Sequence, residues 1–230
     1  LGMLWFYSQG RLPARRFAWA LAALLVVDLW TVERKYWNFS EPATASFATD
    51  PAIEAIKAAP EPGRVLLLGI LAPGADGRDP VYFGSAMMVH RVRSVTGYHG
   101  NELGRYQQIL RAGSVLQASR PDGLRPSFWS HANVHWLYTT SPDTQVAEIA
   151  RQLGVEPFRK VLGPIKNASG STVYLYRVPG DNPAAVVANA IVKGTDEQAL
   201  ATVLDPRFDA RRAAIVDTGA AIQAAEITAV

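Results

Sequence analysis

The run Phe17-Ala-Trp-Ala-Leu-Ala-Ala-Leu-Leu-Val-Val-Asp-Leu-Trp-Thr-Val32, in which 14 of 16 residues are apolar, constrains this chain more than any other feature. Its apolar positions fall all round a helix rather than along one stripe, so the whole circumference avoids water. A transmembrane helix takes about 20 residues, with a range of about 17–25, and the run reaches that length only by borrowing its flanks, with Arg16 snorkelling at one end. Trp19 and Trp30 lie near the two ends, where an aromatic belt would place them. Asp28 sits about one turn from the C-terminal end, so its carboxylate either reaches the interface or faces a protein partner within the membrane. A hydrophobic helix buried inside a soluble domain is the competing reading of the same residues.

Composition locates the rest of the chain relative to this run. The 230 residues are 49% hydrophobic and only 19% charged, against roughly 25% charged in a typical soluble domain, and much of the deficit lies in residues 1–7 and 17–32. Lys plus Arg number 23 against 20 for Asp plus Glu, a net charge of +3 that is too small to point to nucleic acid. There is no cysteine, which excludes a disulfide framework, a thiol nucleophile and a cysteine-ligated zinc or iron–sulfur site. Leu1 to Tyr7 are apolar and aromatic without the basic start of a secretory signal. Arg11, Arg15 and Arg16 precede the apolar run and a mixed Glu33-Arg34-Lys35 follows it, which places the N-terminal loop in the cytoplasm. The expected organisation is therefore the end of a preceding transmembrane helix at 1–7, a cytoplasmic loop at 8–16, a transmembrane helix at 17–32 and a single extracytoplasmic α/β domain at 33–230.

Within 33–230 helix and strand signals alternate at short spacing with no repeat, which predicts a mixed α+β domain with a mixed sheet and flanking helices. Asp50-Pro51 is an N-cap followed by proline at the first helical position, and Pro60 stops that helix. Arg64 to Gly69 reads as a buried strand, Ala72 to Pro80 as a loop, and Val92 to Val95 as a possible strand. Asn101 caps a helix containing Leu103, Tyr106, Ile109 and Leu110 that ends near Gly113, and 120–126 is a second loop. Asn133 to Thr140 is a strand, Ser141-Pro142 opens a helix stopped by Gly154, and Phe158–Leu162 with Thr172–Val178 form a hairpin around the 167–171 turn. Ala185 to Val192 is another strand, Thr195 and Gln198 form a capping box for a helix through Leu204, and Ala213 to Val216 is the last strand.

No phosphate loop, serine-hydrolase elbow or His-Glu-x-x-His motif occurs, and Gly69, Gly74 and Gly77 are turn glycines. His131 and His135 have the i, i+4 spacing of a helical metal pair, but the local sequence is strand-like, where two such positions lie about 13 Å apart; no metal ligand is assigned. The densest polar and aromatic cluster is 94–107. Gly97 and Gly100 bracket Tyr98-His99, which lets backbone approach a ligand at a helix N-terminus. Tyr98, His99, Asn101, Glu102 and Arg105 are the candidate substrate-binding residues, suited to a phosphate or a sugar. The structural alternative stands beside this: a turn at the glycines, a cap at Asn101, packing by Tyr98 and Tyr106, and an Arg105–Glu102 pair.

Several stretches taken in order resemble the last part of YfhO-type bacterial membrane proteins: Val27-Asp-Leu-Trp30, Tyr36-Trp-Asn-Phe39, Asp50 to Ile56 before Arg64-Val-Leu66, Thr96 to Asn101 with Arg105-Tyr106, Asn133 to Leu137, Val173 to Tyr176, Asp196 to Leu200, and Leu204 to Asp209. Where the pattern has Leu-Pro-Arg-Ala this chain has Asp181-Asn-Pro-Ala-Ala185. The resemblance implies a relative of the C-type glycosyltransferases in the bacterial cytoplasmic membrane. Such enzymes move a sugar from a polyprenyl-phosphate carrier to a cell-envelope polymer outside the cytoplasm. It implies the lipid bilayer, the polyprenyl-phosphate sugar and the polymer acceptor as partners, with no nucleic acid and no cofactor. The carboxylate used in catalysis belongs to an early extracytoplasmic loop of such proteins, so no catalytic residue is assigned in this chain. The alternative expectation is a non-enzymatic, membrane-tethered binding or scaffold domain.

Overall fold

The computed structural model describes residues 2–37, 42–69, 79–83, 85–95, 103–112 and 126–222. The chain divides into two compact units, Leu1–Pro42 and Ala43–Val230.

The first unit holds α1 (Gly2–Ser8) and α2 (Ala14–Glu33). Pro13, in extended conformation, precedes α2, and the Ala- and Leu-rich sequence that follows is among the best helix-forming compositions. Tyr7 stacks on Phe17 with ring centroids 4.6 Å apart, and Trp37 packs edge-on against Trp30 at 4.9 Å. No side chain of α2 is buried. The helix covers the expected run but starts earlier, so that Arg15 and Arg16 lie in its first turn, Asp28 in its last third and Glu33 at its end. Among the described residues no helix is long and apolar enough to cross a membrane. The transmembrane span expected at 17–32 is thus not supported: the charges that were to flank the apolar run are part of the helix itself.

The second unit is a mixed α/β structure with a mixed sheet, as the alternating signals predict. Its elements are α3 (Ala43–Ser46), α4 (Pro51–Ala58), β1 (Arg64–Leu68), α5 (Pro80–Phe83), α6 (Ala86–Val89), α7 (Gly104–Ala112), α8 (Pro126–His131), β2 (Val134–Thr139), α9 (Asp143–Leu153), β3 (Arg159–Lys166), β4 (Thr172–Arg177), β5 (Ala190–Gly194), α10 (Asp196–Leu204) and β6 (Ala213–Asp217). The main sheet runs β1-β2-β4-β3. β1 and β2 are parallel, while β4 is antiparallel to both of its neighbours. β5 and β6 form a separate parallel pair with α10 between them in the chain, a β-α-β unit.

Helices cover both faces of the main sheet, which explains why every residue of β2 is buried. On one face Val65, Leu67, Trp136, Tyr138, Val173 and Leu175 pack against Ile53 and Ile56 of α4 and against Met87 of α6. On the other, Leu66, Val134, Leu137 and Tyr176 pack against Trp129 of α8 and Val146 and Ala150 of α9. The strict alternation of β2 breaks once. Arg64 pairs with Val134 but Val65 pairs with Trp136, so His135 is an extra, bulged residue. It moves Trp136 and Tyr138 onto the α4 face.

Asp50 caps α4 as expected, its Oδ1 accepting from Ile53 N at 2.8 Å. Gly154 ends α9 with φ 64°, and Thr195 and Gln198 form the expected capping box on α10. The hairpin of β3 and β4 and the last strand are where the sequence places them. Three expectations change. Val92–Val95 supplies only a single bridge, Ser94 to Val65, the strand expected at 185–192 starts at Ala190, and α8 was not anticipated because Pro126 and two aromatics gave it no period to read.

Candidate functional site

Of the five candidate residues, Tyr98, His99, Asn101 and Glu102 lie outside the described residues, as do the 120–126 loop apart from Pro126 and the proposed stop at Gly113. Arg105, in the first turn of α7, is described. It is exposed and pairs with Asp196 of α10 at 3.0 Å, an interaction that joins two helices across 91 residues of chain. A surface pair of this kind contributes roughly 0–1 kcal/mol. Next to it, Tyr106 donates to Val95 O at 2.6 Å, and burial raises its phenol above the usual range, so it is a packing residue with its hydroxyl used.

The second unit also holds a polar cluster that sequence reasoning did not assemble. At the carboxyl edge of the parallel β1–β2 pair, Tyr138 donates to Asp50 Oδ2 at 2.7 Å, and Asn167, at the β3–β4 turn, donates to Asp79 Oδ2 at 2.6 Å. Asp79 Oδ1 accepts from Val81 N at 3.0 Å. Asp50, Asp79, Tyr138 and Asn167 are all buried. Four segments far apart in the chain thus converge on one edge, at the end of a parallel pair where α/β sheets commonly present their ligand sites. The sequence signal for Asp50 was its capping role; nothing in the sequence tied it to Tyr138, 88 residues away.

The electrostatics define what this cluster can do. Burial, then the Asp50 hydrogen bond and charge, push the Tyr138 phenol far above its ordinary value. Tyr82, whose ring lies 5.8 Å from that of Tyr138, is likewise raised, by burial first and then by Asp79 and Asp50. Neither can act as a phenolate near neutral pH; both are phenols, able to donate one hydrogen bond and accept another. Each carboxylate oxygen of Asp50 and Asp79 already accepts from a protein donor. The open group is the Tyr82 hydroxyl, which is buried without a partner, as are Trp129 Nε1 and Ser141 Oγ. Among the described residues no three His, Cys, Asp or Glu side chains converge as they would around a metal ion.

A third constellation occupies the opposite edge of the sheet. The bulge at β2 turns His135 toward two loops, with Nδ1 3.0 Å from Glu61 O and Nε2 2.8 Å from Asn182 O. Asn182 in turn donates to Val134 O at 2.7 Å, and Trp136 Nε1 donates to Pro62 O at 2.6 Å. His135 is a buried tether. His131 ends α8 instead, with its ring 5.6 Å from that of Phe208, so the two histidines occupy different elements and do not form a pair.

No family model, no curated protein and no solved structure matches the chain.

Proposed function

We propose that this chain is the membrane-attached C-terminal part of a polytopic bacterial protein of the lipid-linked-sugar glycosyltransferase type. Residues 43–230 form its extracytoplasmic α/β domain and assist in binding the cell-envelope polymer acceptor. The observation that carries the membrane attachment is the exposed apolar surface of the first unit. Trp19, Leu24, Val26, Val27, Leu29 and Trp30 of α2 are each more than half exposed, and the helix buries none of its residues. Covering a large apolar side chain is worth about 1.5–3 kcal/mol, so a helix of this kind left in water forfeits on the order of 10 kcal/mol, more than most domains have to spare. A bilayer, or a bundle of helices within one, supplies that cover. Arg15 and Arg16 then extend toward headgroups at one end, and Asp28 reaches the other interface or a neighbouring helix.

The glycosyltransferase assignment rests on the ordered resemblance of the landmarks from Val27 to Asp209. A tethered, non-enzymatic binding domain is the second reading. The buried carboxylates of Asp50 and Asp79 are each held by protein donors, a structural role that suits either reading.

The absence of cysteine from the sequence makes a topology test direct. In intact cells, the full chain carrying Ala147→Cys, an exposed position on α9, should react with a membrane-impermeant maleimide. Gln9→Cys should react only after permeabilisation, and both variants should stay in the pellet after alkaline carbonate washing. A chain released by carbonate, or the reverse labelling pattern, refutes the proposal. In the whole membrane protein, a His99→Ala, Arg105→Ala double variant that glycosylates its acceptor at the wild-type rate removes the acceptor-binding role.

A further inference from the structure

Three side chains stand in one row across the main sheet. Trp136 of β2 pairs with Arg177 of β4, and Arg177 pairs with Arg159 of β3. The alternation of β4, with Val173 and Leu175 in the α4-side core and Tyr176 and Val178 in the other, puts Arg177 on the α4 side of the sheet. Its guanidinium lies 4.8 Å from the centroid of the Trp136 ring. That ring is itself fixed, 7% exposed and tied through Nε1 to Pro62 O at 2.6 Å. The stacked guanidinium is therefore pre-oriented, with its fork of donors held in one plane.

The arrangement is unfavourable for the protein by itself. Like charges directly opposite on an antiparallel ladder repel. Arg177 is held below its ordinary value by burial first and by Arg159 second, and the charge of Glu61 opposes this. Six ion pairs are present among the described residues, and neither Arg159 nor Arg177 belongs to one. The adjacent basic residue shows the contrast. Lys160 points to the other face, where it meets Asp143 at 2.9 Å and the Tyr174 ring at 5.1 Å. One of two neighbouring cations on β3 is neutralised by the fold, whereas the other is set opposite a second cation. Arg177 is half-buried and Arg159 exposed, so a ligand can approach the pair from solvent.

We propose that Arg159 and Arg177, with Trp136 as the stacking platform, form a binding site for a phosphate group. Two arginines paired across the ladder can each offer N–H donors to one tetrahedral dianion, and bidentate arginine–phosphate contacts are among the strong charge-assisted hydrogen bonds. A dianion also cancels the charge of the pair, which a single carboxylate does not. The group can arrive on a small phosphate ester or on a lipid headgroup. This inference stands apart from the membrane topology and from the acceptor-binding role.

The test uses the full chain in a mild non-ionic detergent. Thermal unfolding is followed while inorganic phosphate, glycerol 3-phosphate or short-chain phosphatidic acid is added, with chloride as the control at equal ionic strength. Each phosphate species should raise the midpoint of the wild type by several degrees more than chloride does. Arg159→Gln and Arg177→Gln should each weaken binding about tenfold or more, in line with about 1.5–3 kcal/mol for a hydrogen bond to a charged group. Arg177→Lys, which keeps the charge and loses the fork, should fall between. Without phosphate, Arg159→Gln should leave the midpoint unchanged or raise it, because a repulsion is removed; a purely structural arginine would lower it. Tighter binding of phosphatidic acid than of glycerol 3-phosphate assigns the site to a lipid headgroup, and equal binding to a free phosphate ester. No shift with any of the three at 20 mM, or an equal shift in the double Gln variant, overturns the site.

Discussion

Asp50→Ala should be the most damaging conservative-sized change in the carboxyl-edge cluster, and its cost can be assembled from the contacts. The carboxylate does two things. Its Oδ1 caps α4 through Ile53 N, and replacing such a cap by alanine costs about 0.5–2 kcal/mol. Its Oδ2 accepts the Tyr138 hydroxyl at 2.7 Å in a place where Tyr138 is fully buried. Asn167, the other hydrogen-bond neighbour of that hydroxyl, uses its Oδ1 for Ser169 N and Ser171 N and gives the tyrosine no replacement acceptor. An orphaned buried hydroxyl adds about 1–3 kcal/mol. The sum is about 1.5–5 kcal/mol, which at a urea dependence of about 2 kcal/mol per molar lowers the unfolding midpoint by about 0.7–2.5 M. The assay is urea unfolding of the full chain in detergent, followed by near-ultraviolet circular dichroism. Tyr138→Phe separates the two parts, and in the Asp50→Ala, Tyr138→Phe double variant the losses should fall short of additive by about 0.5–3 kcal/mol, because both single changes break the same bond. A loss below 0.5 kcal/mol on the ~1 kcal/mol scale of such bonds for Asp50→Ala, or strict additivity, would falsify the coupling of α4 to β2 through this pair.

Other substitutions test other parts of the fold. Gly63 has φ +60°, and a Cβ there would lie 2.4 Å from His135 Cγ. Gly63→Ala should therefore cost about 2–4 kcal/mol, from left-handed backbone strain and from displacing the histidine from the carbonyls of Glu61 and Asn182, read as a lowered urea midpoint. Thr195→Ala removes the capping box of α10 and should cost about 1 kcal/mol, whereas Thr195→Asp should restore most of it. Burial lowers the His131 value below 6.5, against a smaller opposing effect of the Val203 backbone. The unfolded chain thus takes up this proton first as pH falls, so His131 reduces stability as the pH drops below about 6.5, levelling off below the folded value. His131→Gln should flatten that part of a pH–stability curve; an unchanged slope would mean the ring is not buried as a neutral group.

Local chemistry carried the legible part of the fold. The Asp50-Pro51 start, the Gly154 stop and the Thr195–Gln198 box each satisfy backbone groups within a few residues, so their signals are complete in a short window. The paired strands β3 and β4 are likewise close in sequence. Long-range convergence was not legible. Asp50 reads as a cap and Tyr138 as a strand aromatic, and only the sheet order brings them together. The i, i+4 histidines are misleading for a related reason, since a helix end and a bulge intervene between them. The structure does not bear out 17–32 as a separate segment: hydropathy identifies the apolar run, but helix formation does not stop at the arginines, which are good helix formers themselves, and the helix runs from Ala14 to Glu33.

The bulge at His135 links the two ends of the main sheet. If His135 took a regular place in the ladder, the alternation set by Val134 would turn Trp136 and Tyr138 toward α8 and α9, because a one-residue slip reverses every later side chain. Tyr138 would then lose Asp50 at the carboxyl edge, and Arg177 would lose the Trp136 ring beneath it at the other edge. What holds the bulge is the His135 ring between Glu61 O and Asn182 O, together with a glycine at position 63 that leaves room for it. Inserting an alanine between His135 and Trp136 should therefore reverse the phase of Trp136 and Tyr138 and disrupt both edges together, whereas deleting His135 should loosen the tethered loops and keep the phase of the strand, since Trp136 already sits opposite Val65. Near-ultraviolet dichroism of the buried tyrosines and tryptophans distinguishes these outcomes: a spectrum retained in the His135 deletion and lost in the insertion supports the phase set at the bulge as what places both sites, and equal loss in the two variants rejects it.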